Sequence, residues 1–159
     1  MCTSSINKKI YVAYGSNLHT CQMSYRCPDA EVAGVGVLKN YKLSFEGWSG
    51  HGVATVTPCE GSIVPVALWA ISEDDERNLD IYEGFPNLYR KEDIEVTLAN
   101  GSTVTGMVYL MNKKFHGQLM LPAQPTVAYF NTIASGYKTF GFDSRILGEA
   151  YKPFMKFCR

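Results

Sequence analysis

The stretch "KIYVAYGSNLH", residues 9–19, combines an apolar run with residues that could hold a ligand. The apolar run is typical of a buried strand, and it gives way to Gly15, Ser16 and Asn17, three small residues suited to a tight turn. Successive backbone N–H groups of such a turn can donate to an anionic oxygen without rearranging. The turn is therefore a candidate site for a carboxylate, or for an oxygen that gains charge during a reaction.

Glu83 is the candidate for proton transfer. The local pattern predicts that it lies at a helix end or just past it, and its neighbours Ile81, Tyr82 and Phe85 are apolar or aromatic. A carboxyl in a partly apolar pocket has a raised pKa, which suits a general acid/base working near neutral pH. The alternative is an ordinary solvated carboxylate at a helix end.

Other common catalytic and metal-binding patterns are absent from the sequence. It contains no GxSxG elbow, HExxH helix, P-loop or GxGxxG turn, and its three histidines are far apart. The cysteines are odd in number and form no close CxxC pair: Cys2, Cys21, Cys27, Cys59 and Cys158. We therefore expect reduced thiols that pack as small hydrophobes, no metal site and no cofactor.

Three segments together resemble the signature segments of the γ-glutamylcyclotransferase-like family. They are "YVAYGSNL" at 11–18, "LDIYEGFPNLYRK" at 79–91 and "VYLM" at 108–111, and the resemblance continues through "PAQPTVAYFNTIASG". YGSN alone is a weak signal, but YGSNL followed by a later EG segment is much more specific. The resemblance implies a small mixed β-barrel with flanking helices, and a metal-independent enzyme that releases 5-oxoproline from a γ-glutamyl small molecule.

The resemblance also implies roles for individual residues. Glu83 would be the catalytic general acid/base. The substrate-binding loop would consist of Tyr14, Gly15, Ser16, Asn17 and Leu18.

Three further tyrosines would line the substrate pocket. Tyr89 and Tyr109 match the tyrosines of the family's later segments, and Tyr129 is a looser match in the penultimate helix. Packing in the core is the alternative for each of them.

The chemistry of a γ-glutamyl compound explains why so few residues would be needed. Its own α-amine can attack its γ-carbonyl to close a five-membered ring, and well-placed intramolecular groups reach effective molarities of roughly 10⁵ to 10⁸ M. The enzyme must still take a proton from the α-ammonium and give one to the leaving nitrogen. One carboxylate within reach of both, Glu83, can do this as base and then as acid.

The leaving group is open at this stage. The YGSNL loop is similar to that of cyclotransferases acting on γ-glutamyl amino acids, whereas "EGFPNLYRK" is closer to the γ-glutamylamine cyclotransferase and AIG2-like branch. An amino acid, a polyamine or a biosynthetic intermediate would each fit. We expect the loops 46–52 and 112–124 to form the leaving-group side of the pocket.

Two other classes of protein remain as alternatives. One is a non-catalytic module that binds a γ-glutamyl or 5-oxoproline-like small molecule, and the other is a structural interaction module. The presence of Glu83 argues against the first, because a binding-only site gains little from burying an unpaired carboxylate.

The elements that must position these residues can be predicted from hydrophobic periodicity. In the first half we expect a strand at 9–14, a helix at 18–26 capped by Ser16 or Asn17, and several strands joined by turns within 31–71.

The second half begins with a predicted helix at 73–82, with a capping box at Ser72 and Asp75. Strands at 89–98 and 103–111 are expected around the Asn-Gly turn at 100–101.

Two more helices are predicted near the C-terminal end. One starts with Pro125 in its first position and ends or is interrupted at Gly136, and Asp143 caps the other, which buries Ile146, Leu147 and Ala150. Strands with flanking helices define an α+β class.

Length and charge limit the possible partners. The 159 residues predict one domain, 1–159, and the 15 basic and 15 acidic residues form no block of like charge. We therefore expect no nucleic-acid and no membrane partner. No apolar run approaches the roughly 20 residues of a membrane helix, and we expect a soluble, cytoplasmic protein.

Overall fold

The computed structural model describes residues 7–155. Its strands are β1 (Lys9–Ala13), β2 (Glu31–Trp48), β3 (His51–Ile71), β4 (Tyr89–Thr97), β5 (Thr103–Met111), β6 (Lys114–Phe115), β7 (Gln118–Leu119) and β8 (Leu121–Pro122). Its α-helices are α1 (Thr20–Arg26), α2 (Glu73–Tyr82), α3 (Val127–Phe140) and α4 (Ser144–Tyr151), with 3₁₀ turns at Ser16–Leu18 and Lys152–Phe154. No helix within the described range is long and apolar enough to cross a bilayer.

Five of the strands close into a barrel. The order is β3-β1-β5-β4-β2, and β2 pairs again with β3. β1 and β5 are parallel, with Tyr11 opposite Met107, whereas the other neighbours are antiparallel. The expected small mixed β-barrel with flanking helices is therefore confirmed, and its interior is filled by the apolar side chains of the strands.

The segment 31–71 forms one long hairpin, so the prediction of several strands joined by turns was wrong. β2 and β3 have 18 and 21 residues and pair along most of their length. Their register shifts between Val32 and Gly34 and between Lys39 and Tyr41. The small and polar residues there form bulges that bend the strands without ending the pairing.

Helix α1 begins later than expected. His19, rather than Ser16 or Asn17, is its N-cap, and the His19 Nδ1 accepts from the N–H of Gln22 at 3.3 Å. Ser16 and Asn17 instead belong to the 3₁₀ turn that follows β1. This difference leaves both residues available to the candidate site.

Helix α2 confirms the predicted bounds and the predicted capping box. The N–H of Asp75 donates to Ser72 Oγ at 3.1 Å, and the N–H of Ser72 donates to Asp75 Oδ2 at 3.2 Å. Such caps contribute about 1 kcal/mol each. The helix ends at Tyr82 and places Glu83 at its C-cap.

Helix α3 differs from the prediction at both ends. Thr126 is the N-cap, so Pro125 precedes the helix rather than occupying its first position. The helix runs through Gly136 and ends at Phe140. Its C-cap is Gly141, whose φ of 71° is in the left-handed region that favours glycine. A Cβ at Gly136 would lie 2.4 Å from the Leu18 Cβ, so glycine there allows α3 to pack directly on the 3₁₀ turn.

The remaining local predictions have mixed outcomes. The β4–β5 hairpin and the Asp143 cap of α4 are confirmed. Leu147 and Ala150 are buried, whereas Ile146 is half-buried. Three cysteines are free thiols, and Cys2 and Cys158 lie outside the described residues.

Candidate active site

The turn after β1 presents unbonded backbone N–H groups. Within the turn, Leu18 N–H donates to the Gly15 carbonyl and His19 N–H donates to the Ser16 carbonyl, both at 3.0 Å. Among residues 7–155, no acceptor is found for the N–H groups of Gly15, Ser16 and Asn17. These three donors are therefore available to a bound ligand.

Two contacts hold the turn in place. Leu18 is fully buried and lies against Gly136 of α3. The Trp69 Nε1 donates to the Asn17 carbonyl at 3.1 Å. Because the turn is anchored by core residues, its N–H groups are held before any ligand arrives.

A cavity of about 180 Å³ lies beside this turn. It brings together eight of the nine residues that the sequence suggested for the site: Tyr14, Gly15, Ser16, Asn17, Glu83, Tyr89, Tyr109 and Tyr129. Leu18 is the exception, because its side chain packs in the core and does not line the cavity.

Two further tyrosines line the cavity, and the sequence had not suggested them. Tyr11 is in β1 and Tyr82 is the last residue of α2. Tyr11 lies six positions before Asn17, in a strand where an aromatic residue reads simply as core. Only the closed barrel shows that its ring faces the cavity.

Glu83 is enclosed, and no cationic group among residues 7–155 is in direct contact with it. The residue as a whole is half-buried, but its carboxyl is surrounded by protein, and Asn17 Nδ2 lies 3.5 Å from its Oε1. Burial raises the pKa of Glu83 from 4.5 to about 7, and the positive charge of Arg26 offsets part of that rise. Both protonation states are thus populated near neutral pH, as a general acid/base requires.

Arg26 in α1 is a further residue of the site that the sequence did not reveal. Its Nη1 donates to Asn17 Oδ1 and to Ser16 Oγ, the latter at 3.4 Å. Its guanidinium also lies over the Tyr82 ring, 3.4 Å from the centroid. A lone arginine near the C-terminal end of a short helix is common, because its charge interacts favourably with the helix dipole. The sequence therefore provided no reason to place Arg26 in a site.

Arg26 determines which way the Asn17 amide points. A guanidinium can only donate, so the Asn17 oxygen must face it. The amide nitrogen therefore faces the other way, 2.9 Å from Tyr11 Oη and 3.5 Å from Glu83 Oε1. Arg26 acts on Glu83 in this way both by its charge and through Asn17.

Three of the cavity tyrosines donate their hydroxyl protons to protein acceptors, each at 2.6 Å. Tyr14 donates to the Tyr109 carbonyl, Tyr89 to the Ala54 carbonyl, and Tyr109 to Asp80 Oδ1. Their rings form the cavity wall, but their hydroxyls are already bonded. Each of these tyrosines therefore packs in the core through its hydroxyl bond and also forms part of the pocket wall through its ring.

The loops expected on the leaving-group side lie next to each other. The Trp48 ring meets the Phe115 ring edge to face at 5.4 Å, and β8 pairs with Glu46 and Gly47. Neither 46–52 nor 112–124 contributes to the lining of the 180 Å³ cavity. Their expected role in choosing the leaving group stays a prediction.

Comparison with known proteins identifies the class of protein to which the chain belongs. The chain belongs to the family described as γ-glutamyl cyclotransferase, AIG2-like, whose family model matches residues 11–129.

Particular relatives are similar over most of the chain. A γ-glutamylcyclotransferase of Mus musculus is 31% identical over 141 residues, which is 83% of this chain and 71% of the mouse protein. The Homo sapiens γ-glutamylcyclotransferase is 30% identical over the same length and shares of the two chains. A solved γ-glutamyl cyclotransferase structure aligns with a TM-score of 0.78 at 26% identity, over 90% of this chain and 86% of the other.

Proposed function

We propose that this protein is a γ-glutamyl cyclotransferase that converts a γ-glutamyl amine or amino acid into 5-oxoproline and the free amine. The observation that carries the proposal is the placement of the enclosed Glu83 carboxyl in the same cavity as the unbonded N–H groups of the turn. Membership of the γ-glutamyl cyclotransferase family supports it independently.

The first task of the cavity is to fold the substrate. Its walls are mainly aromatic rings held by their own hydrogen bonds, so they can confine the glutamyl chain without rearranging. Bringing the α-amine against the γ-carbonyl makes the attack intramolecular, which can account for about 7 to 11 kcal/mol of the barrier.

Glu83 then handles the protons. As a carboxylate it takes a proton from the α-ammonium, and the amine nitrogen forms a bond to the γ-carbon. As a carboxylic acid it protonates the leaving nitrogen, and the original amide bond breaks. The new ring nitrogen gives up its second proton, and the amine leaves as its ammonium form. A pKa of about 7 lets Glu83 hold either state at little cost.

The charged substrate groups have matching partners on the turn. The unbonded N–H groups of Ser16 and Asn17 lie on the side of the turn that Arg26 contacts through the two side chains. We assign the α-carboxylate of the substrate to this side, because it is a permanent anion and gains most from a nearby cation.

The test is release of 5-oxoproline from a panel of γ-glutamyl amino acids, γ-glutamylamines and glutathione. Wild type and Glu83→Gln are assayed side by side, with and without a chelator. We expect release by wild type, independent of chelation, and at least about 10²-fold less by Glu83→Gln, the lower end for general acid–base catalysis. Full turnover by Glu83→Gln would refute the role of Glu83, and no release from any panel member would count against the activity.

A further inference from the structure

The backbone of Ala54 in β3 forms hydrogen bonds with two cavity tyrosines, as the acceptor in one and as the donor in the other. Its carbonyl accepts from the Tyr89 hydroxyl at 2.6 Å, whereas its N–H donates to the Tyr129 hydroxyl oxygen at 3.0 Å. A hydroxyl that accepts in this way keeps its own proton to donate. Among the described residues, no acceptor is found for the Tyr129 O–H, and Tyr129 lines the cavity.

The Tyr129 hydroxyl lies beside the backbone of Gly15. A Cβ placed on Gly15 would be 3.8 Å from the Tyr129 Oη, so the hydroxyl is within contact distance of this residue. The Gly15 N–H also lacks an acceptor among residues 7–155. Two neutral donors are thus adjacent at the start of the turn, while Glu83 and Arg26 contact Asn17 further along it.

We propose that the Tyr129 hydroxyl donates a hydrogen bond to the γ-carbonyl oxygen of the substrate as that oxygen becomes an oxyanion. This inference rests on the proposed function and gives Tyr129 a catalytic role within it. No proton is transferred: the hydroxyl donates, the tetrahedral oxyanion accepts, and the bond weakens when the lactam carbonyl re-forms.

The distribution of charge favours this assignment over a contact with the α-carboxylate. The carboxylate is charged throughout and is drawn to the Arg26 side of the turn. A neutral, preorganised donor is most useful to an oxygen that is charged only in the transition state. Burial raises the pKa of Tyr129, and the Ala54 N–H offsets only part of that rise, so the hydroxyl stays protonated at neutral pH.

The test compares three single-oxygen deletions: Tyr129→Phe, Tyr89→Phe and Tyr137→Phe. Tyr137 is the neutral control, because it is buried in the same helix, its hydroxyl has no hydrogen-bond partner among residues 7–155, and it does not line the cavity. Tyr89 is the structural match, because its loss also leaves an Ala54 backbone group without its partner. Thermal unfolding of each variant establishes that it is folded at the assay temperature.

We expect Tyr129→Phe to lower kcat by about 10²-fold with KM nearly unchanged, as for loss of one oxyanion donor. Tyr89→Phe should lose at least about tenfold less in kcat, and Tyr137→Phe should match wild type. Equal kcat losses for Tyr129→Phe and Tyr89→Phe would reduce Tyr129 to a structural role.

Two other outcomes would also overturn the inference, in different ways. A raised KM with unchanged kcat in Tyr129→Phe would mean that the hydroxyl contacts the ground-state substrate instead. If wild type releases no 5-oxoproline, the proposed function fails and this inference fails with it. If wild type turns over and Tyr129→Phe equals it, only the inference fails.

Discussion

Glu76 within α2 and Glu83 at the C-cap of that helix are seven residues apart and have opposite surroundings. Glu76 bonds Lys9 and Lys91, each at 2.8 Å. Burial alone would raise the pKa of Glu76, but the hydrogen bonds and charges of the two lysines outweigh it and hold that pKa below its usual value. Glu83 faces an amide and a set of aromatic rings, and its pKa is raised to about 7.

The comparison separates a carboxylate that stabilises the fold from one that we propose for proton transfer. Both lie on the same helix face, since seven residues make two turns. What differs is the partner: Lys91 comes from β4 and also bonds Asp80, which fixes the helix to the barrel. Because these ion pairs hold the helix, its C-terminal end can carry Glu83, which forms no direct ion pair within the described part of the chain.

The largest expected effect is on turnover. Glu83→Gln should lower it by at least about 10²-fold, because glutamine cannot exchange the proton. Glu76→Gln should leave it near the wild-type value, because Glu76 does not line the cavity. The measurement is 5-oxoproline release at pH 7 by both variants. Similar losses in the two would erase the distinction drawn between them.

The sequence predicted the regular elements that surround these two glutamates. The bounds of α2, its capping box and the β4–β5 hairpin depend on short-range patterns, and all were correct. The position of Glu83 at the helix end followed from the same patterns. The long β2–β3 hairpin was missed because its bulges contain the same residue types as turns.

The parts of the site that the sequence missed depend on contacts between distant residues. Arg26 and Tyr82 approach each other because α1 and the end of α2 lie on the same side of the turn. The direction of each tyrosine hydrogen bond likewise depends on backbone groups far along the chain, as at Ala54. No local pattern encodes these contacts, whereas the resemblance to a family pointed directly to the loop and Glu83 as candidates.

The next largest expected effect is that of Glu83→Gln on stability, which should rise although turnover falls. Folding raises the pKa of Glu83 from 4.5 to about 7, so the folded state binds the proton more tightly than the unfolded state does. The favourable contribution is present below the unfolded value and is lost as pH rises through 7.

Glu83→Gln should therefore be more stable than wild type at pH 8, by at most about 3 kcal/mol, and the gap should close near pH 4.5. Urea unfolding at the two pH values measures it. A gap that is the same at both would show that the carboxyl is not destabilised by burial.

The pH dependence of the rate should reveal the influence of Arg26. Removing its positive charge raises the pKa of Glu83 further, so in Arg26→Met the acidic limb of kcat/KM should move to higher pH. Five tyrosines that interact with Glu83 have raised pKa values, so they stay neutral: Tyr11, Tyr14, Tyr89, Tyr109 and Tyr129.

The matched control for Arg26→Met is Arg77→Met, which removes the same charge from an exposed residue of α2 that pairs with Asp74. Its pH profile should coincide with that of wild type. An unmoved limb in Arg26→Met, or an equal movement in both variants, would exclude a specific effect of Arg26 on Glu83.

The smallest expected effect belongs to Glu76. Its lowered pKa means that its ion pairs stabilise the fold above the unfolded value of 4.5, and this contribution is lost as pH falls through the folded pKa. Glu76→Gln should cost about 1 kcal/mol at pH 7, because the pairs are partly exposed and screened, and less at pH 3.5. The control for urea unfolding is Glu60→Gln, at an exposed position in β3 where the glutamate pairs with no cation of the described segment. A loss for Glu76→Gln that persisted at pH 3.5 would point to packing rather than charge. In that case the contrast between the two glutamates would come from Glu83 alone.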